Sequence, residues 1–398
     1  MNIVIVGHID HGKSTMIGRL LYDTNSIPEQ KLEELKKTCE MLGRELEFAY
    51  ITDALEEERR SQLTIDTTQT FFSSKKRDYA IIDVPGHKEF LKNMITGASQ
   101  ADVAILIVDA KEGMKEQTRR HAYVLKFLGI EQIVVAVNKM DLVNYDEHRF
   151  KELKKALLEY LNLMGVQPKE VIPISAHRGD NVVKRTDAMP WYNGKTVIET
   201  LDLFEETSRD YDFRFPIQDV YSVEGERVLV GNVTSGSLKK GDRVSAFPGI
   251  GTVTIKKIVT LEGELEIAKK PKSIGIVLNE GVTVDRGVVL CKGRDPLIVN
   301  KVEASVLCML YELKVGGEYT FRCTTQEVPF RLSSIKDKLD VTNLEKLDAE
   351  GSIKETEIGK VILTFKRPVV VEKFSIMQEL GRFVVEENGE IIAGGIVI

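Results

Sequence analysis

Cysteine is scarce in this sequence, and long apolar runs are missing. The four cysteines in 398 residues, Cys39, Cys291, Cys308 and Cys323, stand far apart with no C-x-x-C pair. That spacing gives neither a thiolate metal cluster nor a disulfide framework. The cysteines read as small buried hydrophobes in a reducing, cytoplasmic setting. No apolar stretch reaches the roughly 20 residues that cross a bilayer. Residues 2–6 form an apolar strand that runs straight into the next motif, so a signal peptide is not expected. A basic surplus is lacking too: 55 Lys and Arg against 61 Asp and Glu leave a net charge of −6. A general nucleic-acid binder draws its affinity from a basic footprint, so nucleic acid is not the expected partner, although a local patch remains compatible with this balance. Low-complexity segments and fixed-period repeats are absent as well. The length exceeds what one hydrophobic core accommodates and suits two or three domains.

What is present begins at residue 7. Gly7-His8-Ile9-Asp10-His11-Gly12-Lys13-Ser14-Thr15 follows the strand at 2–6 and precedes the helical pattern of residues 16–21. Strand, G-x-x-x-x-G-K-S, helix is a phosphate-binding loop in its confirming context. Successive backbone N–H groups and a helix N-terminus cradle phosphate oxygens. Gly7 and Gly12 allow the close approach, with His8, Asp10, His11 and Thr15 in the same loop. Lys13 reaches the β- and γ-phosphates, and the Ser14 hydroxyl ligates Mg²⁺.

Residues 1–207 alternate strand and helix. Apolar strands are expected at 3–6, 80–82, 103–108, 133–137 and 171–174, with amphipathic helices at 88–99, 116–128 and 146–164. This predicts an α/β domain built on a mostly parallel sheet. Residues 64–72 alternate like an edge strand and lead through Ser74-Lys75-Lys76-Arg77 into an antiparallel hairpin. Between the first helix and this hairpin, residues 27–62 form a charged insertion with helical periodicity at 29–42. A segment of that length is often a functional lid. Past residue 203 the helical runs stop, and short β-rich pieces alternate with turns. A charged stretch at 205–212 and the loop signature at 293–296 mark two boundaries. The prediction is two all-β barrels, at 208–295 and 296–398, behind the α/β domain.

Two further motifs complete a nucleotide site. Asp83 ends a strand and opens Asp83-Val84-Pro85-Gly86-His87. An acid there holds Mg²⁺, and the Gly86 N–H meets a γ-phosphate and senses its presence. Thr64 lies between the phosphate loop and Asp83, where its hydroxyl and carbonyl suit the Mg²⁺ end of a switch loop. Asn138-Lys139-Met140-Asp141 ends the strand at 133–137. The Asp141 carboxylate can accept two hydrogen bonds from the N1–H and N2–H₂ edge of guanine, a donor pair that adenine lacks. Asn138 would tie this loop to the phosphate loop, and the Lys139 stem would cover the ring. The backbone N–H groups of Ser175-Ala176-His177 can reach the guanine O6. The implied cofactors are GTP or GDP with Mg²⁺.

The loop G-H-x-D-H-G-K-S-T, Asp83–His87, 138–141 and two trailing barrels resemble the translational GTPases. The elongation factor 1-alpha branch is the nearest, marked by the insertion, Leu20-Leu21-Tyr22-Asp23 and Met189-Pro190-Trp191-Tyr192-Asn193-Gly194. The resemblance covers essentially the whole chain. It implies that Lys13, Thr64, Gly86 and His87 serve GTP hydrolysis. His87 would orient the attacking water behind an apolar gate of Ile9 and Leu63. Within the branch, residues 258–265, 282–287 and 340–345 are similar to the GTPase subunit of bacterial sulfate adenylyltransferase. That likeness implies a GTPase whose hydrolysis drives adenylyl sulfate formation on a small adenylyltransferase partner. No kinase domain is expected beyond residue 398. The alternative is an elongation-factor-like GTPase delivering aminoacyl-tRNA. Two residues stand apart: His11 matches the elongation factors where the sulfate subunits usually carry an acid, and Gln62 replaces the family's glycine.

Overall fold

The computed structural model describes every residue except 31, 35–36, 38–47, 49–68, 83–100, 206–210, 224, 271 and 280. The chain divides into two compact units, Met1–Thr207 and Ser208–Ile398.

The first unit is built on six strands among the described residues: β1 (Asn2–Gly7), β2 (Gln69–Ser73), β3 (Asp78–Ile82), β4 (Val103–Asp109), β5 (Gln132–Asn138) and β6 (Glu170–Pro173). Their order across the sheet is β2-β3-β1-β4-β5-β6. All neighbours are parallel except β2, which runs antiparallel to β3 at the edge, as the hairpin reading expected. The Ser74 N–H closes that turn onto the Arg77 carbonyl at 2.9 Å. Strand β4, Val-Ala-Ile-Leu-Ile-Val-Asp, is buried along its whole length. Such an uninterrupted apolar run is what a parallel sheet covered on both faces demands.

Helix α1 (Lys13–Asp23) follows β1 and buries Met16, Ile17, Leu20 and Leu21. Helix α2 (Glu116–Phe127) follows β4, and α3 (Glu147–Leu163) follows β5, within a residue or so of their predicted ends. The Asp146 carboxylate caps α3 by accepting the His148 N–H at 2.9 Å. A fourth helix, α4 (Val197–Leu201), was not foreseen, although Thr196 and Glu199 spell a reciprocal capping box before it. The predicted helix at 88–99 lies outside the described residues, and the one at 29–42 does so largely. Because β1 sits between β3 and β4, successive connections leave it in opposite directions. The crevice this opens at the strands' carboxyl ends is where ligands bind in such sheets.

In the second unit two antiparallel rings close on themselves. The first comprises β7 (Phe213–Val223), β8 (Glu226–Val233), β9 (Arg243–Phe247), β10 (Gly251–Thr260), β11 (Lys272–Leu278) and β12 (Val289–Lys292). Its order is β9-β12-β7-β8-β11-β10, and β10 pairs back onto β9. The second comprises β13 (Leu297–Cys308), β14 (Glu318–Cys323), β15 (Gln326–Asp340), β16 (Glu357–Val371), β17 (Arg382–Glu387) and β18 (Glu390–Val397). Its order is β14-β17-β18-β13-β16-β15, closed by β15 on β14. There are two apolar cores, one centred on Phe215, Ile255 and Ile276, the other on Phe321, Phe330 and Phe383, and the second also takes in Val289 and Cys291 of β12. Strand β15 contains Pro329, a residue that strand interiors usually exclude because it cannot donate to the ladder. The chain tolerates Pro329 near the start of β15, opposite Thr320.

A buried ionic cluster joins the two rings. Arg214, on β7, is fully buried, and its Nη2 donates to Glu372 Oε1 at 2.8 Å. Glu372 directly follows β16, and its Oε2 accepts from Arg294 Nη2 at 2.8 Å. The Arg214 guanidinium also donates to the Phe213 and Arg294 carbonyls at 3.0 and 2.6 Å. Removing one member of such a cluster strands an uncompensated charge. Glu372→Ala is therefore expected to cost about 3–5 kcal/mol. Urea denaturation of wild type and variant, followed by fluorescence and circular dichroism, measures the difference.

Candidate nucleotide-binding site

The site assembles at the carboxyl end of the parallel sheet. Gly7 closes β1, and a Cβ built there would lie 2.5 Å from the Ile107 carbonyl oxygen. Asp10 turns the loop with φ 63°, and Gly12 with φ 93°. A Cβ on Gly12 would lie 2.4 Å from Asn138 Nδ2. Both space and backbone conformation therefore demand glycine at residue 12. Gly12 is also the residue before α1, and no side chain caps the helix. A helix N-terminus of this kind favours an anion, through its N–H groups and the helix dipole. Lys13 Nζ donates to the Gly7 and His8 carbonyls, each at 3.0 Å, which holds the ammonium over the loop. Ser14 is exposed on the first turn of α1. Ile9 is 41% exposed at the loop's surface.

Two histidines pack edge to face beneath the loop, with ring centroids 5.1 Å apart. His8 Nδ1 hydrogen-bonds Gln117 Oε1 on α2. His11 is fully buried, and its Nδ1 accepts the Asp109 N–H at 3.3 Å. Its Nε2 has no hydrogen-bond partner among the described residues and lies 3.9 Å from Glu112 Oε2. Burial holds the His11 pKa below the ordinary histidine value, so the ring is neutral at physiological pH.

The second loop follows β5. Asn138, 2% exposed, donates from Nδ2 to the His11 carbonyl at 2.8 Å. Its Oδ1 accepts the Ala176 N–H at 2.9 Å. One side chain thus fixes the phosphate loop, its own loop and the 175–177 loop together. Lys139 turns the backbone with φ 62° and places Nζ 2.8 Å from Asp109 Oδ2. Asp141 lies in the short 3₁₀ turn Met140–Val143, and its Oδ1 is buried without a partner among the described residues. A buried, unpaired carboxylate oxygen is costly unless a ligand supplies donors. Of the three N–H groups at 175–177, Ser175 donates to the Asp180 carbonyl at 3.2 Å and Ala176 to Asn138. Among the described residues, the His177 N–H alone of the three has no hydrogen bond, which narrows the expectation that all three could reach a base oxygen.

Of the predicted site residues, the structure brings together those at 7–15, 138–141 and 175–177. Thr64, Asp83, Gly86 and His87 lie outside the described residues, as do Gln62 and Leu63. Two contributors were missed, Asp109 and Gln117. Asp109 carried a legible signal, an acid ending an apolar strand, the same cue that singled out Asp83. Gln117 carried none.

Residues 1–207 match the model of the Elongation factor Tu GTP binding domain, and residues 301–398 match the GTP-eEF1A C-terminal domain-like family. Elongation factor 1-alpha of Pyrococcus furiosus is 41% identical over 100% of this chain and 97% of that protein. Its counterpart in Methanopyrus kandleri is 39% identical over the same shares. The chain belongs to the elongation factor Tu/1-alpha family of translational GTPases.

Family membership makes this a GTP-binding domain followed by β-barrel domains. The glycine cradle and the unpaired Asp141 oxygen fit the guanine nucleotide that the family binds. The relatives also overturn the sulfate adenylyltransferase assignment and its small-subunit partner, because the similarity to elongation factor 1-alpha runs through both barrels. The residues that suggested sulfate chemistry lie in the second unit. Residues 258–265 form the hairpin leaving β10, and 340–345 form the turn after β15. Such turns record ancestry loosely, whereas His11, inside the phosphate loop, already matched the elongation factors. The expectation against nucleic acid is corrected with them: a net charge of −6 averages a whole surface and does not describe a local one. A solved structure of sup35 complexed with GDP aligns over 100% of this chain and 93% of that one at 26% identity, with a TM-score of 0.46. That overlay is too loose to add weight.

Gly12→Ala, which puts a methyl group against Asn138 and a side chain at φ 93°, is expected to lower guanine-nucleotide affinity at least about 100-fold, more than 2.7 kcal/mol. Isothermal titration with GDP and GTP measures the loss.

Proposed function

We propose that the chain is a translation GTPase that carries aminoacyl-tRNA to the ribosome in its GTP form. The observation behind this reading is the 41% identity with elongation factor 1-alpha over the full chain. The proposed division of labour is a GTP-binding domain at 1–207 and two barrel domains at 208–295 and 296–398, working in the cytoplasm. No described helix is long and apolar enough to cross a membrane.

In the nucleotide domain, Gly7, His8, Asp10, His11, Gly12 and Thr15 form the backbone cradle for the phosphates. Lys13 meets the β- and γ-phosphates. Ser14, with Thr64 and Asp83, would hold Mg²⁺, which neutralises phosphate charge when bound. Asp141 accepts from the guanine edge, Asn138 fixes the loops, Lys139 lies along the ring, and the 175–177 loop meets O6. Thr64 and the Gly86 N–H distinguish GTP from GDP, and His87 orients the water for hydrolysis. A ligand shifts an equilibrium only by its differential affinity for the two states, so GTP can command tRNA binding only through elements that contact the γ-phosphate.

Three measurements test the reading. Aminoacyl-tRNA protected from ester hydrolysis by the GTP-loaded chain, and not by the GDP-loaded chain, is the expected result. Equal protection by the two forms sinks the delivery role. Asp141→Asn is expected to exchange the donor–acceptor pattern and favour xanthosine over guanosine nucleotides in competition binding. His87→Ala is expected to slow single-turnover hydrolysis roughly 10²-fold, with GTP affinity nearly unchanged.

A further inference from the structure

Asp109 ends β4 and lies in register with Asn138 of β5. The Ala110 N–H donates to the Asn138 carbonyl at 2.8 Å, which holds the strand ends together beyond the sheet. The Asp109 side chain is 3% exposed, and its two oxygens have separate partners. Oδ1 accepts the Lys111 and Glu112 N–H groups at 2.7 and 3.1 Å, which shapes the turn after β4. Oδ2 takes the Lys139 ammonium at 2.8 Å. The Asp109 N–H reaches His11 of the phosphate loop at 3.3 Å. Burial raises the Asp109 pKa, but the Lys139 hydrogen bond and the two backbone N–H groups outweigh it and hold the carboxyl below its ordinary value.

Only the Oδ2 contact reaches the base-binding loop. Lys139 is a long, flexible side chain on a left-handed residue, and a free lysine side chain keeps considerable rotamer freedom. Anchoring its ammonium fixes the direction in which its four-carbon stem runs. We propose that Asp109 is a positioning residue for the nucleotide base: by holding the Lys139 ammonium it lays the lysine stem as a preformed apolar plate for one face of the purine. This inference rests on the guanine-nucleotide reading of the site and adds a residue to it. The gain is preorganisation: the bound nucleotide need not order the lysine itself. The base edge stays with Asp141, so the plate slows release of any nucleotide whose ring it covers without choosing between rings.

Asp109→Asn keeps an oxygen for the turn and removes the charge that holds Lys139. A stopped-flow measurement of fluorescent GDP release compares wild type, D109N, K139M and the double variant. D109N and K139M are each expected to release GDP roughly tenfold faster, equivalent to about 1.4 kcal/mol, and the double variant no faster than either single one. A double variant whose effects multiply to roughly 100-fold would show that Asp109 acts apart from Lys139 and would overturn the proposal. The preference for GDP over inosine diphosphate is expected to match wild type in D109N, and its loss would equally overturn the proposal by placing Asp109 on the base edge. Should D109N fail to fold, K139M alone decides, since a wild-type release rate in that variant leaves no plate to position. Failure of the wild-type chain to retain fluorescent GDP at all is a distinct result and sinks the nucleotide reading itself.

Discussion

The architecture of the site depends on one amide. Asn138 contributes both halves of its side chain, donating to the His11 carbonyl and accepting from the Ala176 N–H. Three loops, each leaving a different strand, are held in one arrangement by two hydrogen bonds that water cannot reach. In a buried setting such bonds are strong when made and costly when half made. The same amide presses against Gly12, so the residue that joins the loops also denies the phosphate loop a side chain. Specificity for the base and affinity for the phosphates are thereby mechanically linked, although their residues are more than a hundred positions apart.

Around this amide, the site tolerates features that would destabilise an ordinary strand end. Asp10 and Lys139 have left-handed backbones, and the Asp141 oxygen and His11 Nε2 are buried without partners among the described residues. Strain and unsatisfied polar groups concentrate where binding requires them and persist because surrounding structure fixes them. Here the fixing structure is a sheet whose central strands are buried nearly end to end.

Most of this was legible in the residues. Apolar runs located the parallel strands, and G-x-x-x-x-G-K-S and N-K-x-D located the two loops, because each motif states a backbone requirement or a hydrogen-bonding pattern. Turn spacing located the barrels. What could not be read was pairing at a distance. Nothing in one dimension says that Asp109 faces Lys139, that Gln117 meets His8, or that the Ala176 N–H is already committed. The choice between sulfate chemistry and translation failed for a different reason. It leaned on net charge and on hairpin turns in the barrels, features that constrain neither a site nor a partner, while the residue under real constraint, His11, pointed the other way.

The buried cluster of Arg214, Glu372 and Arg294 also shapes how this sequence can change over time. Arg214 and Glu372 are each nearly irreplaceable alone, since losing one leaves the other charged in an apolar setting, whereas Arg294 is 53% exposed. That pair together could give way to apolar residues of similar volume at little cost, as buried ion networks elsewhere have done. Two workable versions of the joint between the rings are thus separated by intermediates that fold poorly. Descent through single substitutions is held on one side of that barrier, so Arg214 and Glu372 are expected to be inherited as a pair, kept less by any activity than by the absence of a passable route away.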